Sequence, residues 1–157
     1  LLVEDLIQIG KWIEKDLQSR YKIPLLFSFP MAFKSIKKMN SGHNGNCNIF
    51  NILGILSSGH MAMCGIGTQE KDLTYGLLGK DLVSDVWINH TMLKKLREEI
   101  PAQLQGVCKN CLFKNRCLGA CIAMNYHANK NLKSPFWFCD QAYQKGLFPE
   151  NRMKLMS

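Results

Sequence analysis

Cys108-Lys109-Asn110-Cys111-Leu112-Phe113-Lys114-Asn115-Arg116-Cys117-Leu118-Gly119-Ala120-Cys121 is a Cys-x2-Cys-x5-Cys-x3-Cys array, four thiols in fourteen residues. Two cysteines separated by two residues let a tight turn present both sulfurs to one metal centre, while neighbouring backbone N–H groups hydrogen-bond to them. Cys117 reaches the same centre after a short loop. A single zinc ion is the first alternative. Zinc sites, however, usually set a loop of roughly 12 to 20 residues between two ligand pairs, and four cysteines this close crowd one tetrahedral ion.

Three further cysteines flank the array, Cys47 and Cys64 upstream and Cys139 downstream, which makes seven. An odd number, with five thiols between Cys108 and Cys139, does not suit the even disulfide framework of a small secreted protein. Clustered thiols without a signal peptide point to metal in a reducing cytosol, so a cytoplasmic location is expected. The opening residues Leu1 to Gly10 lack a basic n-region, and the chain reads as a fragment of a longer polypeptide. The apolar stretches Ile23–Phe33 and Ile49–Leu56 are interrupted by Pro24, Pro30, Asn51 and Gly54 and fall short of the ~20 residues that span a bilayer, so no membrane partner is expected. The formal net charge is +8, with 46% hydrophobic and 20% charged residues over 157 positions. The basic residues are dispersed as Lys37-Lys38, Lys94-Lys95-Arg97, Lys114-Arg116 and Lys130/Lys133, with no run of the length typical of a nucleic-acid-binding tail.

Leu2, Leu6, Ile9, Ile13 and Leu17 recur at helical spacing, with Glu4, Lys11, Lys15 and Gln18 on the other side, and predict an amphipathic helix that Gly10 weakens without excluding. Leu25-Leu26-Phe27-Ser28-Phe29, bounded by Pro24 and Pro30, predicts a buried strand. A boundary falls in Lys34–Asn46, which is basic and then rich in Gly, Asn and Ser. Ile49–Leu56 and His60–Met63 flank Ser57-Ser58-Gly59 as two strands of a hairpin. Asn89 is the expected cap of a helix in which Leu93, Leu96 and Ile100 share a face and which Pro101 stops. Ile122 to His127 predict another helical turn, and the tail beyond Cys139 reads as polar and exposed.

Read together, the cysteines follow Cys-x11-Gly-x4-Cys from Cys47 through Gly59 to Cys64, then the array, then Cys139 seventeen residues beyond Cys121. In ferredoxins with two clusters a similarly compressed array sends its last cysteine to the other cluster. From Cys47 to Cys139 the pattern resembles the SPASM domain, the C-terminal auxiliary-cluster extension of radical S-adenosylmethionine (SAM) enzymes that mature peptides, quinone cofactors and sulfatases.

The resemblance implies an α+β, loop-rich fold: residues 1–40 as the last α/β unit of a partial TIM-type barrel, 41–145 as the SPASM domain with a short β-hairpin and helices around two sites, and 146–157 as a tail. It implies two [4Fe-4S] clusters. The outer one takes Cys108, Cys111, Cys117 and Cys139, and the inner one takes Cys47, Cys64 and Cys121. Some relatives carry an eighth cysteine a few residues before the first, where this chain has Ser41 to Asn46, so His43 is a candidate fourth ligand of the inner cluster. With charges of about −2 and about −1 the two clusters would bring the chain to about +5.

S-adenosylmethionine and a third [4Fe-4S] cluster belong to the part of such an enzyme that precedes this sequence. The catalytic Cys-x3-Cys-x2-Cys triplet is absent here, so this fragment is not expected to cleave SAM alone, and its catalytic residues are unassigned. The implied partners are a peptide or protein substrate and an electron donor such as flavodoxin or ferredoxin. Sulfatase-maturing relatives place an Asp directly after the second cysteine, and Gly65 stands in that position. The competing readings are a zinc-binding interaction module and a stand-alone iron–sulfur electron-transfer domain. His60, His90 and His127 read as solvated or capping residues, Trp12, Trp87 and Trp137 as core or cluster-shielding groups, and Met61 and Met63 as packing.

Overall fold

The periodicity at the start of the chain is realised as one helical stretch: α1 (Val3–Trp12), a wider π-type segment (Ile13–Leu17) and the short turn α2 (Gln18–Arg20). The Asp5 carboxylate reaches back to accept a hydrogen bond from the Leu2 amide at 3.0 Å, satisfying one of the open donors of the helix start. Gly10, a poor helix former, is buried for a packing reason: a Cβ there would lie 2.5 Å from the Phe29 ring. The computed structural model describes residues 2–21, 25, 27, 29–40 and 47–154. Leu25, Phe27 and Phe29 have irregular backbone, and Leu26 and Ser28 of the expected strand lie outside the described residues. A 3-10 turn (Met31–Phe33) and α3 (Ile36–Asn40) follow.

The expected hairpin is present but short. Ile49–Asn51 is a 3-10 turn rather than strand, and β1 (Gly54–Ile55) pairs antiparallel with β2 (His60–Ala62) across the turn that contains Gly59. A third strand, β3 (Thr74–Leu77), pairs with the other edge of β2, with His60 opposite Leu77 and Met61 opposite Gly76. The register breaks between Met61 and Ala62, so that Ala62 faces Thr74. The chain is thus mixed helix and sheet, with a small three-stranded antiparallel sheet.

Two helices follow where one was expected. α4 (Val83–Asn89) ends at the residue predicted to start a helix, and α5 (Thr91–Glu99) is capped by His90, whose Nδ1 accepts from the Met92 amide at 3.3 Å. Asn89 instead donates its amide to Asp85 at 2.7 Å within α4. Beyond Pro101 come α6 (Gly106–Asn110), α7 (Lys114–Cys117), α8 (Ile122–Asn129) and α9 (Trp137–Gln144).

The main core gathers Met61, Met63 and Leu73 of the sheet region, Leu93, Leu96 and Ile100 of the α5 face, and Leu104, Val107 and Ile122 of the cysteine-bearing helices. A smaller core joins Val3 and Ile7 of α1 to Phe29 and to Phe138 and Ala142 of α9. Phe33 packs against both, with its ring 5.1 Å from Phe138 and 5.5 Å from Phe148. The segment after Cys139 therefore departs from the exposed tail expected of it. Phe148 is buried, Leu112 donates to the Arg152 carbonyl at 2.9 Å, and Lys154 donates to the Asn110 carbonyl at 2.8 Å, which ties the last described residues to the cysteine loop. Among the described residues no helix is long and apolar enough to cross a membrane.

Candidate metal centres

α6, α7 and α9 converge so that Cys108, Cys111, Cys117 and Cys139 line one small pocket. Its other walls are apolar, with Met31, Val107, Phe113, Phe136 and Phe148 among them. Backbone N–H groups lie against the sulfurs. Phe113 donates to Cys111 Sγ at 3.4 Å, Phe136 serves Cys108, and Ala120, Met31 and Gly119 serve Cys117. Burial pushes the Cys108 thiol up to about 11, with the negative charges of Cys117, Cys111 and Asp140 acting the same way. Burial first, and then Cys108, Cys117 and Cys111, also raise Cys139. Cys111 and Cys117 are raised mainly by burial.

Four soft donors crowded into an apolar wall, each resisting ionisation until a cation neutralises it, suit a metal centre that prefers thiolate. Among the described residues no three His, Cys, Asp or Glu side chains are gathered to hold one metal ion.

Cys121 does not join this group, although only three residues separate it from Cys117. The reason is in the backbone. Leu118, Gly119 and Ala120 all have positive φ, of 55°, 79° and 59°. This left-handed conformation disfavours Leu118 and Ala120 and is easy only for Gly119. The run aims the Gly119 and Ala120 amides back at Cys117, as in an anion-binding nest. Cys121 and Cys64 lie near enough to Cys47 for their charges to act on its thiol. Burial raises the Cys47 thiol, and charges at Cys121 and then Cys64 raise it further, while the Ile49 amide opposes them.

Four of the seven cysteines thus line this pocket, and Cys47, Cys64 and Cys121 are not among its lining residues. All are free thiols. His43 lies outside the described residues.

Two sets of contacts brace the turn and the segments that follow Cys64 and Cys121. Asn125, 2% exposed, donates its side-chain amide to the Gly119 carbonyl at 2.9 Å. Asn125→Ala leaves that carbonyl unpartnered in the core and is expected to cost about 1–3 kcal/mol, read from chemical denaturation. A second link joins the loop after Cys64 to the helix after Cys121: the buried Glu70 carboxylate pairs with His127 and with Lys130, and Tyr126 donates to Asp72 at 3.0 Å.

The hydrogen bond from Lys130 holds the Glu70 carboxyl below its ordinary value of 4.5 against the opposing effect of burial, with a further, smaller lowering from the hydrogen bond to His127. A carboxyl lowered on folding stabilises the protein fully above its unfolded value and loses that contribution as pH falls through its folded one. Glu70→Gln should therefore melt below wild type at pH 7, and the gap between the two melting curves should close progressively below pH 4.5.

The remaining residues weighed from the sequence are structural. His60 bonds Ser58 at 2.9 Å, His90 caps α5, and Met61 and Met63 are core. Trp87 packs against the main core, but Trp12 and Trp137 are exposed and shield neither group. Sequence reasoning missed the buried Tyr75 of β3. The signal for it was the alternation in Thr74–Leu77, too short to predict a strand. Comparisons with protein-family models, with curated proteins and with solved structures find no match for this chain.

Proposed function

We propose that this chain is the auxiliary-cluster region of a radical SAM enzyme with a SPASM domain, acting on a peptide or protein in the cytoplasm. Cys108, Cys111, Cys117 and Cys139 would hold an outer [4Fe-4S] cluster, and Cys47, Cys64 and Cys121 an inner one. When bound, such clusters supply a substrate-binding iron or an acceptor for the electron released as a product radical is oxidised. The chain's own residues supply thiolates, N–H donors to sulfur and an apolar wall. Residues 1–40 would be the end of the catalytic barrel, and the SAM site, its own cluster and the encounter with a flavodoxin or ferredoxin donor would lie with the preceding part.

The observation that carries the reading is the departure of Cys121 from its sequence neighbours. A single zinc site built on the compressed array would hold Cys121 with Cys117, whereas the left-handed run Leu118-Gly119-Ala120 lies between them and Cys121 is not among the residues that line the pocket of Cys108, Cys111, Cys117 and Cys139. The test is anaerobic reconstitution with iron and sulfide followed by elemental analysis. The proposal expects about eight iron and about eight sulfide per chain. Stoichiometric zinc without iron would refute it and favour the zinc-binding interaction module.

A further inference from the structure

Residues 149–154 lie along the loop 110–113, which supplies Cys111 and Phe113 to the wall of the four-thiol pocket. Leu112 donates to the Arg152 carbonyl at 2.9 Å and Lys154 donates to the Asn110 carbonyl at 2.8 Å. These two bonds flank an antiparallel pairing of Cys111 with Met153. The Arg152 guanidinium also sits over the Phe113 ring, 5.2 Å from its centre.

The segment buries nothing of its own. All six residues are half-buried or exposed, and its internal bonds are those of one 3-10 turn, from the Arg152 amide to the Pro149 carbonyl and from the Met153 amide to the Glu150 carbonyl. Phe148, immediately before it, is different. It is buried, lines the same pocket and packs against Phe33 at 5.5 Å. The segment is therefore a lightly held arm on a fixed root. Stretches with few buried contacts and exposed backbone bonds open at a small fraction of the cost of global unfolding. Cys111, to which the arm is paired, is only 8% exposed while the arm is closed. Opening releases residues 110–112 from both bonds and Phe113 from Arg152, and Phe113 is the residue whose amide donates to Cys111 Sγ at 3.4 Å.

We infer that residues 149–154 form a strap over the cysteine loop, and that its opening, with Phe148 left in place, admits thiophilic reagents and soft metal ions to the pocket from the Cys111 side. The strap acts on access to the thiols themselves, so the inference holds whichever metal they take.

The test is alkylation of the reduced, metal-free full chain with iodoacetamide, resolved cysteine by cysteine by mass spectrometry, alongside hydrogen exchange at the Leu112 amide. Lys154→Pro removes the donor to Asn110 and suits its neighbour, because Met153 is already extended, with φ −97° and ψ 148°, as the residue before a proline prefers. Lys154→Ala keeps the amide and is the control. Loss of one backbone hydrogen bond is expected to raise the open population about fivefold. In Lys154→Pro, exchange at Leu112 and alkylation at Cys111 should both rise by that factor, while Cys47, Cys64 and Cys121 keep their wild-type rates and Lys154→Ala matches wild type. Faster exchange at Leu112 with an unchanged rate at Cys111 would overturn the inference, because the strap would then open without governing access. Unchanged rates at both would overturn it, as would an equal rise at all seven cysteines, which marks general loosening of the fold. None of these outcomes bears on the iron count that tests the proposed function.

Discussion

Cys121→Ala is expected to hold about four of about eight irons after anaerobic reconstitution, because Cys108, Cys111, Cys117 and Cys139 still surround their cavity in the variant. Cys111→Ala should lose the other half. The pairings then separate the two centres. Cys47→Ala with Cys121→Ala strips one site twice and should match either single variant, whereas Cys47→Ala with Cys111→Ala should lose nearly all iron, a double-mutant cycle read in metal content. The turn at Leu118–Ala120 is what makes Cys121 behave unlike its neighbour Cys117. If Cys121→Ala instead removes the same irons as Cys111→Ala, the four thiols of the array form one local site and the division is wrong.

Phe138→Ala carries the largest stability change expected from the packing. Phe138 of α9 is buried in the cluster with Val3 and Ile7 of α1 and meets Phe29 edge-on at 5.7 Å and Phe33 at 5.1 Å. Truncating a buried Phe costs about 3–5 kcal/mol through lost burial and the cavity left behind. Because the next residue is Cys139, the damage should reach the outer centre as well. Hydrogen exchange should show Val3–Trp12 losing protection first, since α1 has its core partners in Phe29, Phe138 and Ala142. Equal protection of α1 in variant and wild type would show that something else anchors it.

Much of this organisation was legible in the sequence, and where it was not, the reason is physical. Leu2, Leu6, Ile9 and Ile13 gave the first helix, because a long periodic run outweighs one glycine. Gly59 in the hairpin turn and the Leu93, Leu96 and Ile100 face were equally readable, since turn chemistry and apolar spacing are local. β3 was not readable. Four residues with a glycine among them acquire strand character only from the edge of β2 that they cover.

Phe148 and the tie between Arg152 and the cysteine loop escaped for the same reason: a short polar segment becomes ordered through contacts with α6 and α7 that no local pattern announces. Which cysteines would come together rested on resemblance, because spacing alone left Cys121 free to join either group. The left-handed run at Leu118-Gly119-Ala120 lies between Cys117 and Cys121, and two of those three residue types give no warning of such a backbone.

The most direct measurement is a crystal structure of the anaerobically prepared protein with anomalous data collected across the iron edge. Two separate iron peaks are predicted, one within reach of Cys108, Cys111, Cys117 and Cys139, the other of Cys47, Cys64 and Cys121. A single peak bonded to Cys108, Cys111, Cys117 and Cys121 together, or anomalous signal at the zinc edge alone, would contradict the account.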